Sequence, residues 1–364
     1  MPFSFPARRL LAGIAASGLL SVGTLGAALW PAGADPHALI TGPPGAGAWP
    51  AAVASVAPWL AAPDPASATP AEVRRFVRRL SATQLRQLER RAPGVVGNLD
   101  GVPDRVRYAA NALAWRRASP HGGRLEGRLL GYDPRGDGRL IEVFGDLDTA
   151  RHVAVIVPGS GWTLRNLTGA GPRHGADPIA AARTLRRQVQ RTEPAARLAV
   201  VVWLGYDPPE GIDRQAARSA RAVAGSRALR RFLDSLPGGA HVSLLCHSYG
   251  AVVCGHAAAG APVGDLVALA APGMDVPSAR ALHTRARVWA ARVPDDPMRF
   301  VPFLRVAGLG HDADPTRPAF GARVLWTGAA SGHDGYFTPG TELLANLARI
   351  VLDRTTEVSL VHPA

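Results

Sequence analysis

Beyond residue 124 the chain alternates between short apolar runs and longer stretches in which apolar residues return every three or four positions. Leu125 to Gly131 and Leu140 to Phe144 flank the turn-forming Asp133-Pro-Arg-Gly-Asp-Gly138, which predicts a hairpin. His152 to Val157 is a continuous apolar run suited to a sheet interior. Further strands are expected at Leu198–Leu204, Val242–Cys246, Leu266–Ala270, Arg287–Ala291 and Arg323–Trp326. Helices are expected near Ile179–Gln190, Arg214–Leu236 and Ala251–Gly260. This order predicts a mostly parallel sheet with helices on both faces, and such sheets hold ligands at the C-terminal ends of their strands.

Upstream the period is helical. Val73, Phe76, Val77 and Leu80, then Leu85 and Leu88, share faces opposite arginines, and Ser81 can cap the second helix. A third helix runs from Asp104 to about Arg117. Residues 71–123 thus read as a helical preface and 124–354 as the main body, with 355–364 as a tail. Residues 35–70 are rich in Pro, Gly and Ala without a period, which predicts a linker. In residues 1–34, Arg8-Arg9 precedes the uncharged run Leu10 to Trp30 and the triplet Ala32-Gly33-Ala34, the pattern of a cleaved export signal. The run exceeds the roughly 20 residues that span a bilayer, so membrane contact is expected through this segment alone, and only if it stays uncleaved.

The stretch His241 to His256 carries the strongest chemical signal. A buried strand ends at Cys246-His-Ser-Tyr-Gly250 and a helix of small residues follows at once. In so sharp a turn Ser248 is held in a strained backbone conformation, with its hydroxyl above the sheet and the helix N-terminus beneath it. Strand and helix nearly touch two positions before and after it, so only small residues fit there. Cys246 and Gly250 satisfy this as a variant of Gly-x-Ser-x-Gly.

A serine needs a base, and the base needs a carboxylate that fixes its tautomer. His333, in a glycine-rich loop after the last expected strand, is the candidate base, with His311 in reserve and His247 and His256 assigned to packing. For the acid, the loop after Arg287–Ala291 offers Asp295 and Asp296. Asp296, which precedes Pro297, is preferred, with Asp295 and Asp275 as alternatives. Backbone donors for an oxyanion are expected at Tyr249 and at Ser160 in Pro158-Gly-Ser-Gly161, with Gly161 as the alternative to Ser160. The excursion Pro297 to Ala322 carries Phe300, Phe303, Leu304 and Leu309, which could wall an open cleft beside Ser248 for short or medium acyl groups.

Composition changes this picture little. The 364 residues carry a formal net charge of +13, which alone would suit a polyanion partner. All 41 basic residues are arginine, however, scattered in pairs without interleaved aromatics, as solvated helix faces in a GC-rich coding background would have them. No nucleic-acid partner is expected. With only Cys246 and Cys254 there is no disulfide framework and no thiol set for a metal, and the pair is expected as two free, buried thiols. Neither a cofactor nor a metal is expected.

Gly97-Asn-Leu-Asp-Gly-Val-Pro103, Val157-Pro-Gly-Ser160, Cys246-His-Ser-Tyr-Gly250, Ala271-Pro-Gly-Met274, Asp314-Pro315 with Ala319-Phe-Gly-Ala-Arg323, and Gly332-His-Asp-Gly-Tyr-Phe337 together resemble an uncharacterised branch of the α/β-hydrolase superfamily common in GC-rich Gram-positive bacteria. The resemblance spans about Val77 to Leu352. It implies an α/β-hydrolase fold and a Ser, Asp, His triad, matching Ser248, Asp296 and His333. The expected function is an exported serine hydrolase acting on an ester or related acyl bond of a small-molecule or lipid-like substrate. The rival expectation is a non-catalytic relative that binds a ligand or cell-envelope component.

Overall fold

The computed structural model describes residues 42–118, 125–169 and 177–361. The export-like segment 1–34 lies outside them. Ten strands are described: β1 Arg128–Asp133, β2 Arg139–Gly145, β3 His152–Val157, β4 Leu198–Leu204, β5 His241–His247, β6 Asp265–Leu269, β7 Gly273–Val276, β8 Arg287–Ala291, β9 His311–Asp312 and β10 Arg323–Val324. The α-helices are α1 Trp49–Val56, α2 Pro70–Val77, α3 Ala82–Arg91, α4 Pro93–Val96, α5 Asp104–Ala118, α6 Leu164–Leu167, α7 Pro178–Thr192, α8 Ala220–Ser235, α9 Gly250–Ala257 and α10 Glu342–Val351.

Eight strands form one sheet in the order β1-β2-β4-β3-β5-β6-β8-β10. β2 runs antiparallel to β1 and β4, and the remaining pairs are parallel. Nearly every residue of β3, β4 and β5 is buried, which is why these strands read as unbroken apolar runs rather than alternations. α7 packs with α10 and α8 packs with α9, so helices cover the sheet in two layers. The expected α/β architecture is the observed one.

Residues 49–60 correct the linker expectation. Trp49 and Val53 sit at 1% exposure in a cluster with Val73, Phe76, Leu88 and Val95, and the Trp49 indole donates to the Pro63 carbonyl at 2.9 Å. The preface therefore has its own apolar core, built in part from a segment whose Pro and Ala content hid its period. α2 and α3 start in two-way side-chain caps at Thr69 and Ser81, the second being the cap expected from the sequence.

The 97–103 motif joins preface to sheet. The Asn98 amide donates to the Tyr132 carbonyl (2.8 Å) and accepts from the Tyr132 N–H (2.9 Å), extending the edge strand β1 as a neighbouring peptide would. Arg107 and Asn111 of α5 both bond the Gly97 carbonyl, and a Cβ on Gly97 would lie 2.2 Å from the Asn111 oxygen. α8 starts at Ala220 rather than Arg214 because the carbonyls that would open it are taken. His311 bonds Ala216 O and Gly310 N–H bonds Ala217 O. A short parallel pair, β7 with β9, draws these loops together over α9.

Candidate functional site

Ser248 stands between β5 and α9 with φ 53°, the left-handed conformation expected of a nucleophile at such a turn. Its N–H donates to Leu269 O of the neighbouring β6 at 2.9 Å, which anchors the turn to the sheet. The approach around it is close. A Cβ on Gly159 would lie 2.7 Å from the Ser248 Cβ and 3.0 Å from Tyr249 N, and one on Gly250 would lie 2.3 Å from Val157 O. Glycine is required at both positions for steric reasons alone.

The same proximity overturns the expectation of free thiols. Cys246 and Cys254 form a disulfide, with their Cα atoms 6.5 Å apart and both residues fully buried. Cys246 is the next-to-last residue of β5 and Cys254 lies one turn into α9, so the bond closes across the serine turn. Free thiols suit two residues on separate elements, but the elbow holds strand and helix in contact and so brings the two Cα atoms within the distance a disulfide needs.

His333 and Asp296 come together. The His333 Nδ1 lies 2.9 Å from Asp296 Oδ1, so the proton sits on Nδ1 and Nε2 is left to accept. Asp296 is fully buried at the end of the loop after β8. Burial opposes its ionisation, but hydrogen bonds from His333, from the Tyr336 hydroxyl (2.5 Å) and from Met298 N–H (2.8 Å) outweigh it and hold the carboxyl below its ordinary pKa. Tyr336 also accepts from Val293 N–H at 3.1 Å, so one buried phenol ties both sides of the acid loop. Sequence reasoning missed Tyr336, although it stands three residues after His333 in the quoted motif.

The neighbouring Asp295 has a different task. It accepts from the Ser331 hydroxyl (2.5 Å) and Gly332 N–H (2.8 Å), and so holds the backbone of the His333 loop. His247, expected to serve packing, links this loop to the elbow: its Nε2–H donates to His333 O at 2.8 Å, and the two rings lie 4.9 Å apart. Burial, with the nearby His333, pushes the His247 pKa down to about 4, so this ring is neutral at physiological pH.

The alternatives fall elsewhere. Asp275 accepts from His256 and His311, each at 2.7 Å, and its pKa is held well below the carboxylate range by these bonds against the cost of burial. His311 also bonds Ala216 O at 2.7 Å and packs edge-on against Tyr249. Both residues thus brace the ring of the residue after Ser248, and neither meets His333. Gly161 N–H donates to Pro209 O at 2.7 Å, which removes it as an oxyanion donor. Ser160 is partly exposed beside Gly159, and the Tyr249 amide precedes the first turn of α9, where N–H groups have no intrahelical acceptor.

Of the four apolar residues expected to wall a cleft, Phe300 and Leu304 face solvent, whereas Phe303 lines a cavity with Val301 and Phe320. At the opposite, N-terminal ends of β5 and β6, His241, Asp265 and Asp353 bring possible metal-ligand atoms within 4.8 Å of one another. Asp265 there already accepts from Arg287, Trp289 and His241, so a cation would have to displace a guanidinium.

The alpha/beta hydrolase family profile matches residues 133–306. The uncharacterised protein Rv2079 of Mycobacterium tuberculosis is 30% identical over 289 residues, 68% of this chain and 43% of that protein. A second uncharacterised M. tuberculosis protein, Rv0963c, is 33% identical over 145 residues, 38% of this chain and 53% of that one. The chain thus spans 43% of the length of the first of these relatives. Among solved structures, esterase PE8 is 17% identical with a TM-score of 0.38, covering 58% of this chain and 96% of its own. A predicted CIB-like hydrolase from Thermoplasma acidophilum is 13% identical with a TM-score of 0.38, covering 64% and 98%. With the profile match lying across most of the sheet and its serine turn, and with relatives that are themselves uncharacterised, the chain is similar to an uncharacterised branch of the α/β-hydrolase superfamily that is also present in mycobacteria.

Proposed function

We propose that the protein is a serine hydrolase that cleaves an ester or related acyl bond through an acyl-enzyme. The observation that carries this reading is the Asp296–His333 pair, tied at the His333 carbonyl to His247, the residue before a left-handed Ser248. In the proposed reaction His333 Nε2 takes the Ser248 proton as Oγ bonds the acyl carbon. The Tyr249 and Ser160 amides stabilise the resulting oxyanion. Collapse breaks the bond to the leaving alcohol, which receives the proton from His333. Water then attacks the acyl-enzyme by the same route, releasing the acid and restoring Ser248. Asp296 keeps the imidazole oriented and stabilises its charged form without taking the proton.

Export is part of the proposal, supported by the segment before residue 35 and by the Cys246–Cys254 disulfide, a bond that persists in oxidising compartments. The test is covalent labelling by a fluorophosphonate probe. Labelling of the wild type at Ser248, abolished in Ser248→Ala, supports the reading. A folded wild type that resists the probe and turns over no ester instead identifies a ligand-binding relative without catalysis.

A further inference from the structure

Beyond the end of β8 lies a cavity of about 390 Å³, within the size range of small-molecule sites. Val301, Phe303 and Phe320 give it apolar walls, and Arg292, Arg299 and Arg317 face it with Asp314. Asp314 is buried and committed. It accepts from Arg292 at 2.7 Å and from the N–H and hydroxyl of Thr316, and Arg317 Nε lies 3.7 Å away. Three guanidinium groups against one carboxylate leave the cavity lining with an excess of positive charge.

Arg292 and Arg299 are held in place with most of their donors unspent, whereas the Arg317 side chain is 77% exposed. Arg299 donates one bond to Pro294 O at 2.6 Å and lies 4.6 Å over the Phe300 ring, and Arg292 lies 5.2 Å over Phe303. Each guanidinium carries five N–H donors in a planar fork that matches an oxyacid anion two bonds at a time. An apolar chain alone needs the walls but not this charge.

The cavity and Ser248 share the C-terminal edge of the sheet, with Arg292 just after β8 and Ser248 just after β5. Ser248 N–H bonds Leu269 O of β6, and Ala270 N–H bonds Ala291 O of β8. The ends of β5, β6 and β8 are therefore stitched in succession, and at about 4.8 Å per strand Arg292 lies roughly 10 Å across the sheet from the serine. Arg292 and Arg299, which stand on either side of Asp296 in the chain, line the cavity.

We propose that this cavity binds a carboxylate at the far end of the acyl group, so that the substrate class is an ester whose acyl chain ends in an anion. The inference rests on the hydrolase reading for the ester, but not for the anion.

Two measurements separate the readings. The first compares kcat/KM for p-nitrophenyl esters of equal chain length ending in a carboxylate, a phosphate or a methyl group. A preference of at least tenfold for the carboxylate over the methyl, shrinking severalfold in Arg299→Ala and Arg317→Ala and partly restored by Arg317→Lys, supports the proposal. Equal rates for carboxylate and methyl, or a preference untouched by these variants, overturns it. A preference for phosphate over carboxylate overturns the carboxylate assignment. The second measurement is calorimetric binding of a dicarboxylic acid monoamide and of the neutral diamide to Ser248→Ala. Tighter binding of the monoamide, weakened in Arg317→Ala, supports the subsite even if no ester is turned over. Equal binding overturns it even if Ser248 takes the fluorophosphonate. Arg292 is left intact because its loss would strand buried Asp314.

Discussion

Reduction of the Cys246–Cys254 bond should weaken the fold by a calculable amount. Both cysteines are fully buried, so a reductant reaches them only in the unfolded chain, and the perturbation acts on that state alone. The bridge closes a loop with a sequence separation of 8. For a loop this short the chain-entropy relation assigns about 2.5 kcal/mol at 25 °C. With a guanidinium slope of roughly 5 kcal/mol/M for a domain of this size, the unfolding midpoint should fall by about half a molar when reductant is present at equilibrium. The assay is a pair of guanidinium titrations followed by tryptophan fluorescence, with and without a phosphine reductant. Coincident curves, together with two titratable thiols in the unreduced, denatured protein, would refute the bridge and the reasoning from it.

The remaining predictions concern the acid, its support and the second histidine. Asp296→Asn should lower kcat by roughly three to four orders of magnitude with the fold intact, because the His333 tautomer is lost. Asp275→Asn should lower stability without that loss of kcat, and the reverse pattern in steady-state kinetics and thermal melts would transfer the acid role to Asp275. Tyr336→Phe removes a bond to a buried carboxylate and leaves Val293 N–H unpaired, which should cost about 2 kcal/mol in a denaturant titration and reduce kcat, with KM little changed. His247 is neutral in the fold with its pKa lowered to about 4, whereas the unfolded ring titrates near 6.5. Between these values the unfolded chain binds the extra proton, so this contribution is fully present above about pH 6.5 and is lost as pH falls towards 4, by about 3 kcal/mol at most. His247→Gln, which keeps a donor for His333 O, should flatten the stability profile across that window, and an unchanged slope would show that other groups set it.

The parts of the fold that were legible in the sequence are those where burial is two-sided or periodic. β3, β4 and β8 have the bounds their runs suggest, because the fully buried part of each strand is unbroken by polar positions. α10 was equally legible, with Leu343, Leu344, Leu347, Ile350 and Val351 buried at helical spacing, yet it was not singled out. α1 was not legible. Its mean composition is that of a linker, and what makes it a folded helix is one long-range fit, Trp49 against Phe76 at 5.8 Å, which no local pattern encodes. The β7–β9 pair belongs to the same class, since two short segments distant in sequence pair there and His311 bonds Asp275, a fit that no local pattern encodes. In the candidate site, Asp296 and His333 meet as their chemistry suggested, and Tyr336 was missed because its role lies in what it touches.

The elbow shows how one physical cause can point to two opposite expectations. Position 246 faces α9 at a distance that excludes a large side chain, so a cysteine there reads as a tolerated small residue. That same distance is what a sulfur needs to reach the helix. α9 lies so close that a Cβ on Gly255, beside Cys254, would come within 2.4 Å of Met274 O. The helix is therefore wedged between β3, β5 and the β7 loop, with no freedom to move Cys254 away from Cys246. In such a place two cysteines are either bridged or forced into contact as thiols, and under oxidising conditions the bridge is the lower state. Where a glycine would let strand and helix merely touch, this chain joins them covalently on the buried side of Ser248, and the strained φ of the serine is held by a bond that does not depend on the packing above it.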